Sequence, residues 1–230
     1  SGAALYCYSG WYDGAYQHAA IKRYLTLSNP KKLIIGPWDH GGRQGISPWG
    51  ASREPEFSHD REMLRFFDYH LKGIENGIMQ EKPIHYFTMG EEEWKSADTW
   101  PLPSQRTKTL YLAVGNRLEE IRPAEDSGAD EYVVDYSAGT GNTAGWNSLT
   151  GPRGDVLFGH PNRTEEDKKL LCYTSAPLTE EMEVTGHPVV TLYVTSTADD
   201  GNFFVYLEDV DPSGHVTYVT EGLLRAIHRK

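Results

Sequence analysis

Up to about residue 104, short apolar runs alternate with segments of helical period; beyond Thr107 the period falls to two and no helix-length pattern returns. Leu5-Tyr6-Cys7-Tyr8-Ser9 is an apolar and aromatic run, read as a strand that stops at Gly10-Trp11-Tyr12-Asp13-Gly14. From about Tyr16 to Leu27, Ala19, Ala20, Tyr24 and Leu27 fall near one face with Lys22 and Arg23 outside it. That spacing predicts an amphipathic helix, closed by Ser28-Asn29-Pro30. Lys32-Leu33-Ile34-Ile35-Gly36 reads as a buried strand running into Pro37-Trp38-Asp39-His40-Gly41-Gly42. A right-handed crossover makes the two strands parallel neighbours with their C-terminal ends on one edge. Loops at that edge are where open α/β sheets keep their chemistry.

A Gly- and Pro-broken loop from Gly41 to Phe57 holds Trp49. Ser58 then reads as an N-cap, with Asp60 and Glu62 in the first turn at the positive end of the helix dipole. Leu64, Phe67 and Leu71 follow at intervals of three and four, and Gly73 stops the helix. Pro83 to Met89 is another strand, and Gly90 to Pro103 a polar loop anchored by Trp94 and Trp100. Pro101-Leu102-Pro103-Ser104 is the natural boundary, dividing the chain into an α/β part, 1–104, and a β part, 105–230. In the second part Leu110–Val114, Glu131–Asp135, Lys169–Tyr173, Pro188–Thr195 and Asn202–Val210 are candidate strands. Asp211-Pro212-Ser213-Gly214 suits a type I turn that joins Phe203–Val210 to Val216–Thr220 as a hairpin. Short strands with turns between them indicate a β-sandwich.

Composition narrows the function classes. A formal net charge of −11 argues against nucleic acid or an anionic membrane surface as partner, because both are recognised through clustered Lys and Arg. No apolar run approaches the roughly 18 residues of a transmembrane helix. Cys7 and Cys172 lie in different predicted domains within apolar strands and read as buried free thiols, so the compartment stays open. Asp199-Asp200-Gly201-Asn202 and Glu208-Asp209-Val210-Asp211 lack the converging oxygens of a calcium loop. The nine histidines show no zinc spacing, so neither metal nor cofactor is expected.

The candidate chemistry is an acid and a histidine, Asp13 and His40, each just past a strand end and 27 residues apart. A carboxylate that accepts the Nδ1 proton of a histidine fixes its tautomer and steadies the imidazolium formed when Nε2 takes a proton from a nucleophile. Spacing alone favours a plainer reading, with Asp13 capping the next helix and His40 in an ordinary turn.

The words around the two residues add to this. Gly10-Trp11-Tyr12-Asp13 and Gly36-Pro37-Trp38-Asp39-His40 resemble the cocaine esterase / Xaa-Pro dipeptidyl-peptidase family of serine hydrolases. In that family a G-W-Y-D loop carries the triad acid and a G-P-W-x-H loop the triad histidine. The resemblance continues through Phe66–Gly73, Phe87–Gly90, Trp94, Trp100-Pro101, Tyr173–Leu178 and Tyr206–Val210. It implies the C-terminal part of an α/β-hydrolase domain followed by a partial jelly roll. The substrate would be a small ester or amide, with Asp13 and His40 catalytic. It also places Ala15, two residues after the acid, at the acyl site; Trp146, in a segment that departs from the family's pattern, fits either the cleft or the sandwich core.

No G-x-S-x-G nucleophile motif occurs. The string around Ser47 has the wrong spacing, and Ser9 precedes the wrong helix. The serine and its oxyanion hole are therefore expected upstream, both ends of the chain look truncated, and the 230-residue piece alone is expected to be inactive. Ester hydrolysis or acylase chemistry leads; Xaa-Pro dipeptide release and β-lactam acyl transfer belong to the same family, and a non-catalytic binding or scaffold module is the alternative from another class.

Overall fold

The computed structural model describes residues 2–14, 16–42, 46–50, 57–124, 128–141 and 159–229. The chain divides into two units, Ser1–Gln105 with Thr140–Gly159, and Arg106–Gly139 with His160–Lys230.

In the first unit, β1 (Leu5–Tyr12), β2 (Lys31–Asp39), β3 (Ile84–Thr88) and β4 (Glu93–Ala97) form one sheet in the order β1-β2-β3-β4. The first three strands are parallel, and β4 returns antiparallel to β3. Helix α1 (Tyr16–Thr26) is the crossover between β1 and β2. Its Ala20, Ile21 and Tyr24 pack with Cys7, Leu33, Ile35, Ile84 and Tyr86 into the buried core on one face of the sheet. The expected stripe was Ala19, Ala20, Tyr24 and Leu27; Ala19 and Leu27 are exposed, and Ile21 takes the inner place. On the other face Tyr6 meets Phe66 of α2 (His59–Lys72), ring centroids 5.1 Å apart.

The caps of α2 are as the sequence predicts: the Ser58 hydroxyl accepts from the Arg61 amide, and Gly73 takes the left-handed conformation, φ 68°. Its apolar stripe is not. Leu64, Phe67 and Leu71 are exposed, and Phe66 is the buried residue. Two further expectations give way. Both strands run past their glycines, to Tyr12 and Asp39, and the polar stretch after Gly90 contains strand β4. Polar side chains suit β4 because an edge strand is half solvated.

The apolar strand β2 carries one charge inward. Lys32 is 2% exposed and its Nζ reaches Glu81 Oε2 and the Ile78 carbonyl, both at 2.8 Å. Arg65 bonds the same Glu81 and also Glu62, to which the Tyr6 hydroxyl donates. Burial works against ionising Glu81, but the hydrogen bonds from Lys32 and Arg65 outweigh it and hold the carboxyl below its ordinary range. A depressed pKa contributes stability above the unfolded carboxylate value, and that stability disappears as pH falls through the folded one. Glu81→Gln is therefore expected to destabilise the fold by about 3 kcal/mol at neutral pH, a low value for a buried pair because Glu81 is itself 36% exposed. Urea titrations should find the gap to wild type closing in acid; a gap that stays constant with pH would discard the ion pair as its cause.

In the second unit β5 (Tyr111–Ala113), β6 (Arg117–Glu119) and β7 (Thr174–Ser175) form a mixed sheet, and β8 (Asn202–Val210) pairs antiparallel with β9 (Val216–Arg225). The turn between β8 and β9 is the expected one. Gly214 N donates to Asp211 O at 2.9 Å, and the Asp211 carboxylate accepts from Ser213 and His215. Three expected strands do not form. Residues 131–135 and 188–195 run irregularly, and 169–173 follows the single helical turn α3 (Thr164–Asp167). Acidic residues of this hairpin are taken up in ion pairs: Glu208 pairs with Arg163 and Asp200 with Arg225. Both cysteines are free thiols, but only Cys7 is buried in a strand; Cys172 is half-buried on irregular backbone. No described helix is long and apolar enough to cross a membrane.

Candidate active site

Strand register decides which residues meet at the sheet edge. β1 and β2 pair regularly from Leu5 opposite Lys31 to Gly10 opposite Gly36, and the next pair is Tyr12 opposite Asp39. β2 therefore uses one residue more than β1 over this step, in Pro37-Trp38. Proline has no N–H for a ladder bond, which suits it to an irregular position. Had the ladder run on regularly, Asp13 would have come level with Asp39, carboxylate beside carboxylate. The extra residue brings His40 level with Asp13 instead.

Two glycines let β2 make that step. An added Cβ at Gly10 would stand 1.9 Å from the Trp38 carbonyl oxygen, and one at Gly36 would stand 2.0 Å from the Trp38 ring. Trp38 thus lies directly over both, buried, stacked on Tyr8 at 5.4 Å and walled by Phe57 and Trp94. It is a packing anchor, and so is Trp11, whose indole N–H donates to the Phe87 carbonyl at 2.8 Å.

The histidine sits in a tight turn. Gly42 N donates to Asp39 O and Gly41 N to the Asp39 carboxylate, both at 3.0 Å, so buried Asp39 closes the turn from within. His40 projects from it, its side chain 44% exposed, and its Nδ1 lies 2.7 Å from Asp13 Oδ1. Asp13 is largely enclosed, and the buried Ser9 hydroxyl donates to its other oxygen, Oδ2, at 2.8 Å. Helix α1 is met by the Asp13 main chain, whose carbonyl accepts from Tyr16 N at 2.9 Å. Each side-chain oxygen of Asp13 thus has a partner of its own, Oδ2 the Ser9 hydroxyl and Oδ1 the His40 ring. Tyr16 stacks on the His40 ring, centroids 5.2 Å apart and planes at 23°.

Among the described residues, His40 Nε2 has no hydrogen-bond partner. Ser9 is turned to the acid, and Ser47 donates to Glu92. What the arrangement offers chemically is a carboxylate-backed imidazole with its second nitrogen available to a proton donor. Ala15, expected at the acyl site, and Trp146, a candidate for the cleft, lie outside the described residues. Sequence points to neither Ser9 as a partner of the acid nor Tyr16 as a partner of the histidine; only the position of Ser9, four before the acid, offers a signal.

An acid followed along the chain by a histidine, each at a strand end, is the order in which α/β-hydrolases carry theirs. The chain belongs to the X-Pro dipeptidyl-peptidase family. Residues 76–230 match the family model described as X-Pro dipeptidyl-peptidase C-terminal non-catalytic domain, and residues 1–42 match that of X-Pro dipeptidyl-peptidase. Over its whole length the chain is 58% identical to a Mycobacterium bovis protein provisionally named a serine esterase, of which it spans 36%. It is 27% identical to the cocaine esterase of a Rhodococcus species, over 96% of this chain and 41% of that protein. The crystal structure of an aminopeptidase from a marine-sediment Thaumarchaeota archaeon superposes with a TM-score of 0.79 at 20% identity, covering 99% of this chain and 40% of that one. At that identity the likeness is one of fold. The chain thus spans little more than a third of the length of the curated relatives it matches.

Proposed function

We propose that this chain supplies the acid and the base of a Ser-His-Asp acyl hydrolase whose serine and oxyanion hole lie on a part of the protein outside these 230 residues. The observation that carries the reading is the 2.7 Å contact of His40 Nδ1 with Asp13 Oδ1. As the serine oxygen attacks the substrate carbonyl, His40 Nε2 takes its proton, and Asp13 holds the ring and stabilises the imidazolium. The imidazolium then protonates the departing alcohol or amine, leaving an acyl-enzyme. His40 next takes a proton from water, which attacks the acyl carbon; the imidazolium returns the proton to the serine oxygen as the acyl–oxygen bond breaks and the acid leaves.

Residues 1–104 are read as the C-terminal part of the catalytic domain and 105–230 as a jelly-roll β-sandwich, a reading supported by the β8–β9 hairpin and the small mixed sheet. Ala15 and Trp146 are read as lining the acyl site. Carboxylic esters are the substrates of choice. Two relatives carry esterase names, one of them at 58% identity, whereas dipeptide release needs a site for a free α-amino group that none of the residues named here provides.

A panel of short- and long-chain nitrophenyl esters beside an Xaa-Pro anilide, given to the complete protein, tests the choice. Ester turnover without anilide cleavage is expected. Faster cleavage of the anilide than of any ester would replace ester hydrolysis with dipeptide release.

A further inference from the structure

One half-buried group touches the histidine turn and takes no part in the proton transfers above: His59, the first residue of α2. Its Nε2 lies 3.0 Å from the main-chain oxygen of Gly42, and its Nδ1 is hydrogen-bonded to the Tyr8 hydroxyl. A carbonyl only accepts, so Nε2 carries the hydrogen and donates; in the neutral ring Nδ1 is then the acceptor and the tyrosine O–H the donor. Burial, with Glu62 nearby, pushes the Tyr8 phenol well above its ordinary pKa, which keeps that donor protonated. The ring is seated edge-on against Trp38 at 4.7 Å and against Phe57 at 5.2 Å. Tyr8 belongs to β1, the strand that delivers Asp13, and Gly42 ends the turn that presents His40.

We infer that His59 is a positioning residue for His40, tying the far end of the histidine turn to the strand of the acid. This rests on the acyl-hydrolase reading above. The near end of the turn is fixed by Asp39 on β2, while the Gly42 end leaves the sheet with φ 72° and is held from outside the turn by the His59 N–H. Release of that end lets the turn pivot about Asp39. His40 then swings relative to Asp13 and to the incoming nucleophile, and a misplacement of about 1 Å costs about a hundredfold in rate.

The test compares His59→Ala, His59→Gln, Tyr8→Phe and Asp13→Asn in the complete protein on a nitrophenyl ester. His59→Ala is expected to lower kcat about tenfold to a hundredfold with KM within about twofold of wild type, because the turn carries the base and not the acyl pocket. Gln, whose amide reaches far enough to donate to the Gly42 carbonyl, is expected to restore most of the loss. Tyr8→Phe keeps the ring on Trp38 and removes only the donor to Nδ1, so a smaller fall in kcat is expected. The low-field proton resonance of the His40–Asp13 hydrogen bond should broaden in His59→Ala and return in His59→Gln. Wild-type kcat in both His59→Ala and Tyr8→Phe, with Asp13→Asn inactive, overturns the positioning role alone. Wild-type turnover in Asp13→Asn removes the acyl-hydrolase reading beneath it. Should His59→Ala fail to fold, the decision passes to Tyr8→Phe, and a wild-type kcat there overturns the inference.

Discussion

In the complete protein, His40→Ala and Asp13→Asn are each expected to lower kcat by about four orders of magnitude while the melting temperature barely moves. In the proposed mechanism His40 is the base itself, and at 44% exposure its side chain contributes little packing. The Asn variant is the more telling one, because of Ser9. The Ser9 hydroxyl donates to Asp13 Oδ2, so an amide at position 13 would turn its oxygen to Ser9 and its NH2 to His40. Facing a donor, Nδ1 must accept, and the ring proton moves to Nε2. The imidazole would then sit in nearly the wild-type place with its proton on the wrong nitrogen, unable to take one from serine. Labelling by a serine-reactive fluorophosphonate should fall in parallel. Wild-type turnover or labelling in either variant would end the assignment of the pair as catalytic machinery.

What the sequence makes legible follows from which physical rule each residue obeys. The strand–helix–strand unit around Asp13 and His40 can be read because buried parallel strands are continuous apolar runs and a crossover helix has a period of its own. The ends of α2 can be read because capping at Ser58 and Gly73 is local chemistry. Its inner face cannot, since period gives a stripe but not the surface it meets: Phe66, between Leu64 and Phe67, is the residue that reaches Tyr6.

The glycines mislead for a related reason. Gly10 and Gly36-Pro37 look like strand stops, yet they continue the strands because the Trp38 ring and carbonyl need the space of two missing side chains. In the second unit alternation marks residues 131–135 and 188–195, but a strand exists only with a hydrogen-bonded neighbour, and Val133 and Tyr193 stand exposed on irregular backbone. His59 stayed hidden because its partners, Tyr8 and Gly42, are 51 and 17 residues away in sequence.

The same close approach yields the second large expectation, that Gly10→Ala destabilises the protein by about 3 kcal/mol or more and abolishes most turnover of what remains folded. A methyl group at position 10 would need to sit 1.9 Å from the Trp38 carbonyl oxygen, and that oxygen is main chain, with no rotamer to change. Either β1 withdraws from β2 or the Trp38 peptide moves, and Trp38 stands two residues before His40. Gly36→Ala presses on the same tryptophan differently, through the ring, which Tyr8, Phe57, His59 and Trp94 hold from all sides. That strain falls on the aromatic cluster rather than on the histidine turn. Urea titrations should therefore show both variants losing stability, while kcat measured well below both melting temperatures separates them, with Gly10→Ala the more impaired for a given loss of stability. Gly10→Ala with wild-type stability and turnover would mean that Trp38 does not cross over β1 at all. The extra residue in β2 that brings an imidazole level with Asp13 would then lose its structural cause.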